Sequence, residues 1–196
     1  MGSEKKGNIE DLRKEYGINK IIPPQFEHAA LLALSHYPEL KNIYVEFLIT
    51  KKALFPYSSR PRVTDIFSDP EKRRYQIIIA AQSKVLEKIL LNNLPFKAQV
   101  GILGHELAHT ALYLRQHANG LLKTGLFYFL PSFRERFEKD TDRAAIAHGL
   151  GKELLEYSTY IRTIEGLLKN NPWMDKYYLR PDEITRSMTS LNQVNR

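Results

Sequence analysis

Residues 98–114 read AQVGILGHELAHTALYL. The stretch is almost uncharged, yet it carries His105, Glu106 and His109 within five residues. Pro95 opens a predicted helix that runs to about Gln116. Four residues advance a helix by about 400°, which puts His105 and His109 about 40° apart on one face. Both imidazoles then reach one ion. Glu106, one step round, meets a water on that ion rather than the ion itself. A helix that is apolar all round is a buried helix. Burying two imidazoles and a carboxylate without partners costs several kcal/mol, and a metal ion removes that cost.

Outward from this helix, the pattern changes. Upstream, Ile43–Thr50 (IYVEFLIT) and Tyr75–Ala80 (YQIIIA) are rich in β-branched and aromatic residues and read as strands. Residues 53–68 are extended stretches broken by Pro56 and Pro61, and helices are expected from Pro24 to Tyr37 and over about Ser83–Leu91. Downstream, His117–Ser132 reads as a loop or short helix. A helix follows from near Ser132 to about Lys169, bent at Gly149–Gly151, and Arg180-Pro181 opens a last short one. Strands early and helices late predict an α+β domain with a small mixed or antiparallel sheet packed on the histidine-bearing helix. The expected boundaries are a polar lead over residues 1–20, one domain over 21–186 and a loose tail over 187–196.

Composition narrows the field. With 43% hydrophobic and 26% charged residues, the chain can build a core, and disorder is excluded for most of its length. The absence of cysteine excludes a disulfide scaffold, a thiol nucleophile and any Cys-ligated metal. Lys and Arg outnumber acids 29 to 22. The clusters Lys51-Lys52, Arg60/Arg62 and Lys72-Arg73-Arg74 read as a solvated face, and no nucleic-acid motif accompanies them. No apolar run of about 20 residues exists, so no membrane span is expected. The nearest approach, GLLKTGLFYFLPSF at 120–133, reads as core; a hydrophobic flap or a peripheral membrane contact are the alternatives. The polar start, MGSEKKGNIEDLRKEYG, has no apolar signal region, which favours the cytoplasm and leaves a removed leader open.

Two histidines leave a third protein ligand to find. The metzincin continuation needs glycine and histidine at positions 112 and 115, where this chain has Leu112 and Arg115. A later helix must then supply a Glu or His. In the run EKDTDR, Glu138 and Asp142 lie four apart on one face; Asp140 is the nearest rival but lies off that face. His148 reads as a core or helix-surface histidine, and His28, His36 and His117 have no metal spacing.

The pairing of LPFKAQVGILGHELAH (94–109) with EKDTDRAA (138–145) resembles the gluzincin zinc metallopeptidases. The likeness is to the Ste24/HtpX-like group and the soluble minigluzincins. The resemblance implies a zincin-like fold and one Zn²⁺ per chain on His105, His109 and Glu138, with Asp142 orienting His105. It also implies a zinc metalloendopeptidase that acts on peptides or proteins. YQIIIA would border the substrate cleft, with an extended peptide added antiparallel to it. The chain departs from the pattern at Thr141, where alanine is usual, and Arg180-Pro181 only loosely echoes a downstream His-Pro. The expected chemistry is hydrolysis by a zinc-activated water, with Glu106 as general base. Tyr157 and Tyr160 are candidate oxyanion donors, with Arg162 and Arg180 behind them. Two alternatives are a regulatory protease like the ImmA/IrrE family and a non-enzymatic zinc-containing module that binds peptides or membranes. An intact Glu106 argues against the module, which needs no base.

Overall fold

Six consecutive buried residues, Tyr75–Ala80, decide the sheet. A strand hidden on both faces and both edges sits inside a sheet, so its sequence is apolar on both faces rather than alternating, except at Gln76, which donates to Glu46. The computed structural model describes residues 8–51, 53, 55–82, 87–164 and 171–194. Their order is α1 (Ile9–Tyr16), β1 (Lys20–Ile21), α2 (Glu27–Leu34), β2 (Val45–Thr50), β3 (Tyr57–Pro61), β4 (Tyr75–Ala80), α3 (Phe96–Leu114), α4 (Ala118–Phe127), α5 (Pro131–Ala145), α6 (Gly151–Thr163), α7 (Pro172–Tyr177) and α8 (Pro181–Val194). The sheet runs β1-β2-β4-β3, parallel except for the antiparallel β3. The fold is α+β with one small mixed sheet, as the order of elements predicts.

One expectation fails here. YQIIIA is flanked by β2 and β3 and cannot take up an added strand; the edges are β1 and β3, and β3 is the one that lines the cleft. Ala80 N donates to Pro56 O at 2.9 Å and Arg62 N to Arg74 O at 2.8 Å. These bonds fix the even-numbered residues of this stretch as those that face β4. By antiparallel alternation, the backbone groups of Tyr57 and Ser59 turn to the open edge.

Helix α3 is the centre of the core. Thirteen of its 19 residues are buried. Its Gly101 lies against α6, where a Cβ would fall 2.2 Å from the Glu153 carbonyl oxygen, so the two backbones touch. On another side Tyr37, just past α2, donates its hydroxyl to the Gly104 carbonyl at 2.6 Å. The predicted bend in the long helix is a π turn over Ile146–Leu150, in which Gly149 takes φ 88°, a conformation only glycine adopts without strain.

Several segments differ from expectation. The polar lead forms α1, whose Leu12 is buried in the core. The expected loose tail continues α8 to Val194, with Met188 and Leu191 packed on the core. The helix expected over Ser83–Leu91 falls partly outside the described residues; Glu87–Ile89 and Leu91–Asn93 are single 3₁₀ turns. Arg73 is not on a solvated face: it is 1% exposed and donates to the carbonyls of Ser68 and Gln116. The segment 120–133 is not core either. Leu121 is buried, while Leu122, Leu126, Phe127, Phe129 and Leu130 are exposed, because α4 lies over a cleft rather than on packed side chains. Among the described residues, no helix is long and apolar enough to cross a membrane.

Candidate metal centre

α3 and α5 pack together so that His105, Glu106 and His109 of one face Glu138, Thr141 and Asp142 of the other, all buried. The Nε2 atoms of His105 and His109 lie 3.2 and 3.3 Å from the same oxygen, Glu138 Oε2. Among the described residues, this trio is the cluster placed to hold a metal ion, its ligand atoms all within 4.8 Å of one another. Two ligand atoms each about 2.0–2.1 Å from zinc, at the tetrahedral angle, lie about 3.3 Å apart. The spacing fits.

The outer partners of each ligand fix what it presents inward. Asp142 Oδ1 lies 2.8 Å from His105 Nδ1, and a carboxylate accepts, so His105 donates there. The other Asp142 oxygen accepts the Leu179 backbone N–H at 2.8 Å. The Thr141 hydroxyl donates to Phe137 O at 2.8 Å, which leaves its oxygen to accept from His109 Nδ1 at 3.2 Å. In the neutral rings both Nε2 atoms therefore carry lone pairs. Tyr128 donates its hydroxyl to Glu138 Oε1, which leaves Oε2 free to face the rings. With both rings neutral, three lone pairs converge on one point, an arrangement that repels unless a proton or a metal ion sits among them.

Without an ion, a proton takes its place. Burial works against charge on His105, but its bonds to Asp142 and Glu138 outweigh burial and hold the ring's pKa well above its usual value. Burial also works against charge on Glu138, yet the neighbouring His109 and His105 rings hold its carboxyl well below the usual range. Burial pushes the Glu106 carboxyl up. Its Oε2 is buried without a hydrogen-bond partner beside the three converging ligands. A carboxylate oxygen left bare at that place fits a water held on an adjacent ion.

The centre opens into a cleft of about 1110 Å³. Edge strand β3 forms one wall, tied to α3 by the Ser59 and Thr110 hydroxyls at 2.8 Å. Leu122 and Leu126 of α4 and Phe129 in the turn after it line another side.

The structure brings His105, Glu106, His109, Glu138 and Asp142 together, the set that the resemblance names. Of the two candidate tyrosines, Tyr157 lines the cleft. Tyr160 does not; its hydroxyl donates to Asn93 O. Arg162 is engaged by Ser158 and Asp175, and Arg180 by Asp182 and Glu183. Asp140 faces outward and pairs with Arg143 at 2.7 Å. His148 is half-buried, pairs with Glu39 and stacks on Tyr37, away from the centre.

Sequence reasoning missed Tyr128, hidden in the apolar run FYFL, and Tyr178, whose ring centre is 5.8 Å from that of His105. Burial pushes the Tyr178 phenol well up, so it remains a hydrogen-bond donor. The Thr141 departure has a reason in the bond to His109, and its place three residues after Glu138 was the available signal. Comparison of the chain with protein-family models, with curated proteins and with solved structures found no match.

Proposed function

We propose that the domain is a zincin-like gluzincin that hydrolyses peptide bonds, with one Zn²⁺ on His105, His109 and Glu138. The observation that carries this reading is the convergence of three lone pairs with the unpartnered Glu106 oxygen beside them. All-nitrogen and oxygen donors at tetrahedral spacing, three in number, suit a catalytic zinc with a position left open. Zinc there supplies a Lewis acid that brings the acidity of water towards neutrality.

The chain's own groups do the rest. Glu106 takes a proton from the attacking water at its Oε2 and passes it to the leaving amine. Asp142 and Thr141 hold the two rings in the tautomer that turns Nε2 inward. Tyr157 and Tyr178, both lining the cleft, are phenols available to steady a developing oxyanion, as is Tyr113. The outward backbone groups of Tyr57 and Ser59 favour an extended peptide laid along β3 rather than along β4. Such pairing reads backbone before side chains.

Purified protein supplied with zinc is expected to cleave unstructured polypeptides, to stop on chelation and to resume when zinc is restored. Mass spectrometry of the products checks it. Failure to cleave any polypeptide at full zinc occupancy would leave a zinc-holding module instead.

A graded prediction addresses the helix α5 acids. Asp142→Ala frees the His105 ring and is expected to weaken zinc binding by about 10–100-fold. Asp140→Ala removes only an exposed pair with Arg143 and is expected to change zinc affinity less than about twofold. Zinc titration with a competing chelator measures both, and the reverse ranking would sink the assignment of α5.

A further inference from the structure

Arg134 lies four residues before Glu138 on α5 and lines the same cleft. Its guanidinium carbon is 5.4 Å from the ring centre of Phe55, 4.9 Å from those of Tyr128 and Trp173, and 4.8 Å from that of Tyr177. Its Nε is buried without a hydrogen-bond partner, and none of the described carboxylates pairs with it. Three other sheltered arginines are engaged: Arg73 on two carbonyls, Arg74 on Asp65, Arg162 on Ser158 and Asp175. Arg134 alone among these is held by rings.

A ring attracts a guanidinium through its π-system and takes none of its hydrogen bonds, so the in-plane donors stay uncommitted. Those donors form a fork that matches a carboxylate with two parallel bonds. The rings thus fix the fork's orientation in advance and lower the ordering cost of a ligand. Tyr128 is also a ruler. Its ring stacks near Arg134 while its hydroxyl holds Glu138. One ring therefore separates the guanidinium from a ligand of the metal centre, a span of about 10 Å at most, or roughly three extended residues.

We propose that Arg134 is a specificity-determining subsite that takes a carboxylate of the bound peptide, within about three residues of the bond cut. This rests on the peptide-hydrolase reading above. The carboxylate is either the α-carboxylate of the peptide's end or an Asp or Glu side chain.

The test measures binding apart from turnover. Zinc-loaded Glu106→Gln protein is titrated by fluorescence anisotropy against randomised pentapeptide pools labelled at the N-terminus. One pair of pools ends in a free carboxylate or an amide. A second pair, both amidated, carries Glu or Gln at a fixed position. The charged member of at least one pair is expected to bind about tenfold or more tightly than its neutral twin. A preference in the first pair identifies the α-carboxylate, and in the second a side chain. Arg134→Met in the same protein should bring the ratio within about twofold while neutral pools keep their affinity, and Arg134→Lys should restore part of it.

Equal binding of charged and neutral pools, no binding of any pool, or a preference that survives Arg134→Met each overturn the proposal. The first outcome needs no Arg134 variant and stands even where one fails to fold. Hydrolysis of the same pools by the unaltered protein separates the two readings. Cleavage without charge preference removes the subsite and leaves the hydrolase. Charge-selective binding with no cleavage of any pool removes the hydrolase and leaves the subsite.

Discussion

Glu106→Gln is expected to keep about one zinc per chain and to lose peptide hydrolysis by about 10²–10⁴-fold. The exchange is nearly isosteric, and position 106 is 4% exposed, so packing changes little. What changes is proton traffic. The carboxylate oxygen that has no partner accepts a proton; an amide does not. Stability should hold or rise slightly, since burying an amide costs less than burying a carboxylate. Metal analysis, thermal melting and a peptide assay on one preparation check the three parts together. Activity within tenfold of the unaltered protein, at full zinc, would place the base elsewhere. This variant also bears on the non-enzymatic alternative, because a module that only holds zinc gives no reason to bury that oxygen bare.

What was legible in the sequence follows from which periodicities stay in phase. His105 and His109 share one unbroken helix, as do Glu138 and Asp142, so counting residues placed them correctly. Past Ile146 the count fails. The π turn and the positive φ at Gly149 reset the phase, and positions on α6 cannot be extrapolated from α5 at 100° per residue. On α6, Tyr157 reaches the cleft and Tyr160 does not. The strand at the cleft was misjudged for a different reason. Pro56 and Pro61 made residues 53–68 look broken, but proline is tolerated at a sheet edge, so the same residues marked β3 as an edge. At the C-terminus, Ile184, Met188 and Leu191 recur at helical spacing and face the core; the polar residues between them concealed the pattern. Arg73 and Arg134 show the limit of composition. A basic residue reads as solvated until the fold supplies carbonyls or aromatic rings to cover it.

His109→Ala and Glu138→Ala are each expected to abolish stoichiometric zinc, in contrast to the partial loss at Asp142. Either change leaves two protein ligands, too few for the three-ligand catalytic centre. Glu138→Ala costs more than one ligand. Its two oxygens serve Tyr128 on one side and both rings on the other, so the Tyr128 hydroxyl loses its acceptor as well. The fold itself should survive, because the core contacts of α3 with α2 and α6 lie on other faces of that helix. Melting with and without metal therefore reads the centre directly. At free zinc about 100 times its dissociation constant, the unaltered protein gains about 2.7 kcal/mol. For a chain of this size that is a rise of roughly 5–10 °C in Tm. Both variants should melt at the same temperature with or without zinc. A zinc-dependent rise in His109→Ala equal to that of the unaltered protein, or full zinc retained after chelator-free purification, would remove His109 from the ligand set. The same outcome for Glu138→Ala, with Asp140→Ala losing its zinc, would move the third ligand to the outer face of α5 and leave the gluzincin likeness confined to residues 105–109.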